Sequence, residues 1–596
     1  MERVADYIIR KLTEENIKHI FLITGRGILY LTDAVAKNNN INAVSTYHEQ
    51  GASYAAMAYA AATEGMGACL VSTGCAATNA VTAALCAWQD NLPVVFISGQ
   101  NMLNETTRYT NVPIRTYGSQ EADIIKIVES ITKYAQMITR PEDVVYEMEK
   151  AVFLANHGRK GPVWLDVPLD IQNARIDTDS LKHHEALSEE PEISNEDLKY
   201  VAESLQNAKR PVIFIGGGVR SAGAGLELRN FVEENKIPVV FSTSAADIYG
   251  SANQLSIGAV GSLGGSRAGN FTVQNADLVL AIGTKLCAQS VGNYEEFARE
   301  ARIIAIDIDE YEHTKKGVTI DKIIYGDAKT FIQQLSKQKI SIQCTEWVDK
   351  CLGWKQLFDI KNEDFIKEAL DNKIIDLYYF ADALKDVLEK DTVVITDAGF
   401  EELIVPSAVK YGQEQKCLFP AAQGAMGYAI PAIIGAYYAG KNSIVTVVGD
   451  GSFMMNMQEL QLIGANKIPA KIFVINNNMY AVIRKRQRDL FRTRTIGNDP
   501  SDGVSEPDFE RIANSFNIDY MKIADSTELE QGLKETMKKS GPCICEVFCS
   551  VDQKYLHTSF AINDKRRLVR RPLEDLSPFI DREVLKEEMI VEAINP

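Results

Sequence analysis

No stretch of this sequence stays apolar long enough to cross a bilayer, and positive charge is in deficit. Lys and Arg total 63 against 80 Asp and Glu, a formal charge of −17 that argues against non-specific binding to nucleic acid or an anionic membrane. The opening Met1-Glu2-Arg3-Val4-Ala5-Asp6-Tyr7 lacks the basic-then-apolar order of a secretory signal, so a cytoplasmic protein is expected. Metal-binding spacings are missing too. The seven histidines form no pattern, and of ten cysteines only Cys543, Cys545 and Cys549 cluster, at a spacing that alternates along a strand instead of matching a zinc knuckle. Reduced, buried thiols are the expectation. What remains is a composition of 46% hydrophobic and 24% charged residues, that of a soluble globular chain, and 596 residues are enough for three to four domains of ordinary size.

Strand and helix signals alternate along the whole length, which predicts an α/β protein of three doubly wound parallel-sheet domains. The first spans residues 1–172. It opens with a helix at 4–15, a strand at 17–23, the turn Thr24-Gly25-Arg26-Gly27, and a small-residue helix at 53–63 able to pack closely, often against another subunit. An acidic stretch containing Asp177, Asp179, Glu189, Glu190 and Pro191 then reads as a surface linker. A central Rossmann-like domain follows at 190–340, with Gly216-Gly217-Gly218 after an apolar strand, a weak dinucleotide signal by itself. Residues 341–375 read as a connecting helix packed on the core. The third domain covers 376–596, ending in a tail from Lys565 to Pro578 with turn and capping residues before a last helix.

Chemistry concentrates at Gly449-Asp450-Gly451-Ser452, which follows an apolar strand at 443–448. A second strand, 470–475, delivers Asn476, Asn477 and Asn478, placing Asn477 27 residues after Asp450. That interval suits a strand–helix–strand crossover that brings both side chains to the carboxyl ends of neighbouring strands. A carboxylate flanked by glycines at such a site suits a hard cation carrying phosphates. Glu49, between a short strand and the Ala-rich helix, is expected to be partly buried, a setting that raises a carboxyl pKa and suits proton exchange with a heterocycle. The bland reading is a helix-start glutamate favoured by the dipole.

The pair of motifs resembles that of the thiamine diphosphate-dependent enzymes. Thr73-Gly74-Cys75-Ala76-Ala77-Thr78-Asn79, Gln120-Glu121-Ala122-Asp123 and Gly161-Pro162-Val163-Trp164-Leu165-Asp166-Val167-Pro168 are similar to the acetohydroxyacid synthase (acetolactate synthase) group, over nearly the whole chain. The resemblance implies pyrimidine-binding, central and diphosphate-binding domains. It implies that Asp450, Asn477 and the Met479 carbonyl bind Mg²⁺, and that Gly399, Phe400, Gly451, Ser452 and Asn477 contact the diphosphate. It implies further that the Gly424 carbonyl accepts from the aminopyrimidine, that Met426 wedges beneath the two rings, and that Glu49 of one subunit protonates the pyrimidine of a cofactor clamped by another. A homodimer is then the minimum and a homotetramer common. The activity implied is decarboxylation of a 2-oxo acid, most simply pyruvate, with transfer of the acyl carbanion to an acceptor carbonyl, and with Gln120 touching substrate. A simple 2-oxo acid decarboxylase, a cyclic-dione hydrolase and a non-catalytic thiamine diphosphate-binding protein are the alternatives.

Departures bear on the substrate. Arg26 stands where synthases have glycine, Ser119 where they have phenylalanine, and Leu169 where they have lysine; Arg26 could grip a carboxylate or phosphate, or be a solvated turn residue. Phe400 and Glu401 replace glutamine and histidine, and Glu401 would repel a diphosphate unless it points away. The resemblance makes 190–340 the domain that carries FAD in acetohydroxyacid synthases; Lys285-Leu286-Cys287-Ala288-Gln289 replaces the synthase stretch rich in aspartate and arginine, which speaks against FAD without closing the question. The basic run Arg484, Lys485, Arg486, Arg488, Arg492 and Arg494, just beyond Met479, is either a solvated face or a field that draws an anionic or sugar-nucleotide acceptor.

Overall fold

The computed structural model describes residues 1–185, 191–562 and 566–594; Glu189 and Glu190 of the linker and Lys565 of the tail lie outside them. Its frame is three six-stranded sheets, each wholly parallel. Parallel strands are covered on both faces, which is why Val94–Gln100 and Ala470–Asn476 are apolar-rich runs buried at every position.

The first sheet places its strands in the order Asn42–Ser45, His19–Leu22, Gly67–Val71, Val94–Gln100, Val163–Pro168, Tyr134–Met137. In chain order this is 2-1-3-4-6-5. The third sheet, running Lys416–Leu418, Val393–Thr396, Ile444–Gly449, Ala470–Asn476, Cys543–Phe548, Asp519–Ile523, has the same order. Between them in sequence, the central sheet follows 3-2-1-4-5-6, the Rossmann order, with Pro211–Ile215 as its first strand. The outer domains are thus topological copies of one another. Their equivalent helices, Glu49–Thr63 and Ala429–Tyr438, each following the second strand of its sheet, pack face to face.

That pairing corrects two expectations. The small-residue helix starts at Glu49, four residues earlier than the sequence suggested, because the His48 imidazole accepts from Gln50 N and caps it. Its small face meets a helix of the same chain: a methyl on Gly435 would overlap the Ala55 carbonyl oxygen and crowd Ala58 Cβ at 2.8 Å. One apolar cluster consequently runs through both outer domains, joining Tyr54, Phe96 and Trp164 to Ile433, Val448 and Ile472. The connecting helix Thr345–Leu357 buries Trp347 and Trp354 against the central domain, as expected. No helix among the described residues is long and apolar enough to cross a membrane.

Candidate cofactor and active site

Strands Ile444–Gly449 and Ala470–Asn476 run side by side, with Gly449 opposite Ile475, so the residues that follow them meet at one end of the third sheet. Asp450 Oδ2 accepts from the backbone N–H of Asn477 at 3.1 Å and of Asn478 at 2.7 Å, and Oδ1 accepts from Gly451 N. Burial pushes the Asp450 carboxyl up to about 6, against the pull of those three donors. Beside it, Asn477 Oδ1 and Asn478 Oδ1 are buried with no hydrogen-bond donor, and Asn478 sits at a left-handed φ of 56°. The Met479 carbonyl accepts only from Ala481 N, at 3.0 Å, among the described residues. A carboxylate, orphaned amide oxygens and a carbonyl form the hard-oxygen donor set that Mg²⁺ prefers, so the residues present fit that ion.

Three loops close around this point. Ser452 Oγ donates to Asp397 Oδ2 at 2.7 Å and accepts from Gly427 N at 2.9 Å, while Ala429 N donates to the same Asp397 oxygen. Gly399, at φ 105°, lets the chain turn from its strand into helix Phe400–Ala408, whose positive end opens here. Phe400 is buried against Tyr555, with ring centroids 5.2 Å apart, leaving only its backbone for a ligand. Glu401 does not turn away to solvent. Its carboxyl is buried between Gly399 and Gly449, and burial, with the nearby Asp450 and Asp397 charges, pushes it up to about 8. In the cofactor-free chain this favours the neutral acid at neutral pH, the form that would bring no repulsion to a diphosphate. Gly424 has a φ of 55° and lies against the Glu402 carboxyl group, which burial pushes up to about 8; Met426 is half-buried and outside the apolar clusters, so it is not core.

Glu49 stands at the carboxyl end of the first sheet, half-buried, with Oε2 accepting from Asn79 Nδ2 at 2.9 Å. Asn79 ends the short helix Cys75–Asn79, so the Thr73–Asn79 motif supplies a side chain to Glu49.

Residues 2–127 match the model of the thiamine pyrophosphate enzyme N-terminal TPP binding domain, 198–335 that of the central domain, and 397–547 that of the C-terminal TPP binding domain. Over 562 residues the chain is 30% identical to acetolactate synthase 2, chloroplastic, of Zea mays, covering 91% of this chain and 85% of that protein. The chain belongs to the thiamine diphosphate enzymes, in their acetolactate synthase-like group. It is also 30% identical over 558 residues to the probable acetolactate synthase large subunit of Methanocaldococcus jannaschii, and 29% identical over 563 residues to the acetolactate synthase large subunit of Cyanidium caldarium. These matches cover 91% and 92% of this chain, and 91% and 93% of the relatives. Its chemistry is the thiamine diphosphate-dependent decarboxylation and carboligation of that group.

The residues singled out for substrate in this thiamine diphosphate enzyme share one rim of the first domain. Gly25 and Gly27, on either side of Arg26, pack on Ser72 and Thr73, and the neighbouring Gly74 packs on the Gln120 carbonyl. Arg26 is exposed, and its guanidinium has no ion pair or hydrogen bond among the described residues. Gln120 is held at a left-handed φ of 62°, and the Ser119 carbonyl accepts from Asn101 Nδ2 at 2.8 Å. Leu169 lies at the start of helix Leu169–Asn173. The basic run is partly neutralised: along helix Ala481–Phe491, Arg484 pairs with Asp499 at 3.0 Å, Lys485 with Asp489 at 3.5 Å, and Arg488 with Asp552 at 3.3 Å.

A cavity of about 560 Å³ opens where the central sheet meets both outer domains, lined among others by Gly217, Ser244, Thr284, Asp307 and Arg159. Of the glycine triplet, Gly216 and Gly218 are required by backbone packing on Gly283 and Thr284, and only at Gly217 would a Cβ fit, in ordinary contact with Ser244 Oγ at 3.7 Å. Lys285, in the stretch that departs from the synthases, spends its ammonium on the Gln89 carbonyl at 2.8 Å.

Proposed function

We propose that the protein is a thiamine diphosphate- and Mg²⁺-dependent carboligase that decarboxylates a 2-oxo acid, pyruvate being the simplest, and joins the acyl unit to a second, anionic carbonyl compound. The observation that supports it best is the pair of half-sites: an Asn79-braced Glu49 carboxylate on one domain, and Asp450 with the orphaned Asn477 oxygen on another. When bound, thiamine diphosphate supplies the electron sink that makes loss of CO₂ feasible. Asp450, Asn477 and the Met479 carbonyl would hold the metal, with Gly399, Phe400, Gly451 and Ser452 lining the diphosphate through their backbones. The Gly424 carbonyl would accept from the aminopyrimidine amine, and Met426 would support the rings. Glu49 would hold the proton at the ring nitrogen opposite that amine.

The assembly in this reading is at least a homodimer, Glu49 of one chain serving the cofactor gripped by the other. Exposed apolar side chains flank both half-sites, Tyr47, Tyr109 and Tyr117 on the first domain and Met455, Leu490 and Phe491 on the third, as an association surface requires. Arg26, Gln120 and Ser119 would contact substrate. FAD is left out of the reading, since Lys285 is committed to Gln89 and two of the three glycines to packing.

The test is incubation with thiamine diphosphate, Mg²⁺ and pyruvate, following CO₂ release and product with candidate aldehydes, ketones and keto-sugar nucleotides. An acceptor carrying a new two-carbon branch supports carboligation. Free acetaldehyde alone would make the protein a simple decarboxylase, and no CO₂ from any 2-oxo acid would return it to the non-catalytic binders.

A further inference from the structure

Glu459 ends the turn Met457–Glu459 of the third domain, yet its carboxylate is committed to the first. Tyr47 N donates to Oε1 and Oε2 at 3.1 and 3.2 Å, and His48 N donates to Oε1 at 3.0 Å. The side chain is wholly buried and no cation is paired with it among the described residues. A buried carboxylate is costly unless its hydrogen bonds are met, and here they come from the turn just ahead of Glu49. A Cβ on Gly51 would run into the same carboxyl group. One turn earlier, Asn456 Nδ2 donates both to Gln50 Oε1 at 3.0 Å and to the Gly427 carbonyl at 2.8 Å. Tyr47, His48, Gln50 and Gly51 are thus all gripped by the third domain of their own chain. The Glu49 carboxylate between them goes to Asn79, within the first domain.

We propose that Glu459 is a positioning residue for Glu49: it sets the Glu49 turn from within one chain, so that the carboxylate is presented to the cofactor held by the other. The proposal rests on the intersubunit reading above. Its consequence is that Glu459, nine residues beyond Asp450 in sequence, acts on the cofactor site to which its own Asp450 does not belong. The rival account is that Glu459 only braces the loops around its own Asp450. The two accounts damage different sites of a mixed dimer.

In the Glu459→Gln homodimer one acceptor oxygen becomes a donor facing a backbone N–H. The expected result with pyruvate is a kcat at least tenfold lower, with KM and thiamine diphosphate affinity, read from near-ultraviolet circular dichroism, within twofold of wild type. Next, dimers carrying one Glu459→Gln chain and one Asp450→Ala chain are isolated with two affinity tags. They contain one site built from the Glu49 and Glu459 of the second chain and the Asp450 of the first. Half of wild-type activity is expected; activity no higher than that of the Glu459→Gln homodimer would overturn the proposal. A dimer of Glu49→Gln and Asp450→Ala chains separates the two ideas. Half activity there upholds the intersubunit reading whatever Glu459 does, and no activity there overturns both. Should Glu459→Gln not fold, Glu459→Asp, which keeps the charge and withdraws it by one methylene, enters the same pairing. Unchanged kcat in both homodimers also overturns the proposal.

Discussion

Asn79 Nδ2 donates to Glu49 Oε2 at 2.9 Å across 30 residues of sequence. The bond engages one oxygen of the carboxylate and fixes its direction. General acid–base groups contribute about 10²- to 10⁴-fold, so Glu49→Gln should lower kcat by that order while leaving cofactor affinity mostly intact. Asn79→Ala should cost about ten- to a hundredfold, because a hydrogen bond to a charged group contributes about 1.5–3 kcal/mol. Steady-state kinetics alongside a cofactor titration check both. If Glu49→Gln keeps its activity, the catalytic assignment is wrong.

Asp450 accepts three backbone N–H bonds and stands beside the orphaned Asn477 and Asn478 oxygens. A ligand at about 100 times its Kd stabilises the folded state by about 2.7 kcal/mol. Thiamine diphosphate with Mg²⁺ should therefore raise the melting temperature of the wild type, and either cofactor with a chelator should raise it less. Asp450→Ala should show no such shift. A full shift in that variant would remove Asp450 from the metal site.

These two half-sites were not equally legible. The Asp450 half could be read because both its parts lie just after apolar strands that pair in register, so local sequence carries the geometry. The three sheets followed from the same alternation. Glu49 is legible, but the start of its helix is not, since histidine is an unusual cap and His48 does the capping. The left-handed Gln120 was invisible, because nothing in a Ser-Gln-Glu run announces a positive φ. Glu459 was invisible for another reason: its partners lie more than 400 residues away, and an acid in an apolar stretch says nothing of what it faces. The sequence leaves a carboxylate at Glu401 repulsive unless it points away; burial, by favouring its neutral form, offers the other way.

That neutral acid has a signature in stability. Glu401 is held at about 8 in the folded chain against an ordinary value of 4.5. Between those values the folded protein keeps a proton that the unfolded chain has lost, so stability falls as pH rises through the window and stays low above it. Glu401→Gln removes the ionisation. Denaturation of the cofactor-free protein should find the variant close to wild type at pH 5 and more stable at pH 8, by an amount on the order of 2 kcal/mol. Equal differences at both pH values would mean that Glu401 does not titrate in this way.

The pairing of helices Glu49–Thr63 and Ala429–Tyr438 leaves no room at Gly435, whose missing Cβ would overlap the Ala55 carbonyl. Gly435→Val should therefore destabilise the chain, and overpacking of this kind costs about 1–3 kcal/mol. Since the contact joins the two outer domains, activity should fall with stability even though no site residue has changed. A melting temperature equal to wild type would show that the helices can slide apart without cost.

Arg26 carries the question of substrate. It is exposed, its guanidinium is unpaired among the described residues, and its neighbours Gly25 and Gly27 anchor the turn to the Ser72–Thr73 segment beside Gln120. A planar fork free in that position matches a carboxylate or phosphate bidentately. If it holds the acceptor, Arg26→Ala should leave CO₂ release from pyruvate within twofold of wild type and raise KM for an anionic acceptor by roughly tenfold or more. Arg26→Lys, which keeps charge but loses the fork, should fall between the two. Uncharged aldehyde acceptors should be indifferent to either change. The opposite pattern, a raised KM for pyruvate with acceptor kinetics unchanged, would assign Arg26 to the donor carboxylate and leave the acceptor to the basic helix beyond Met479.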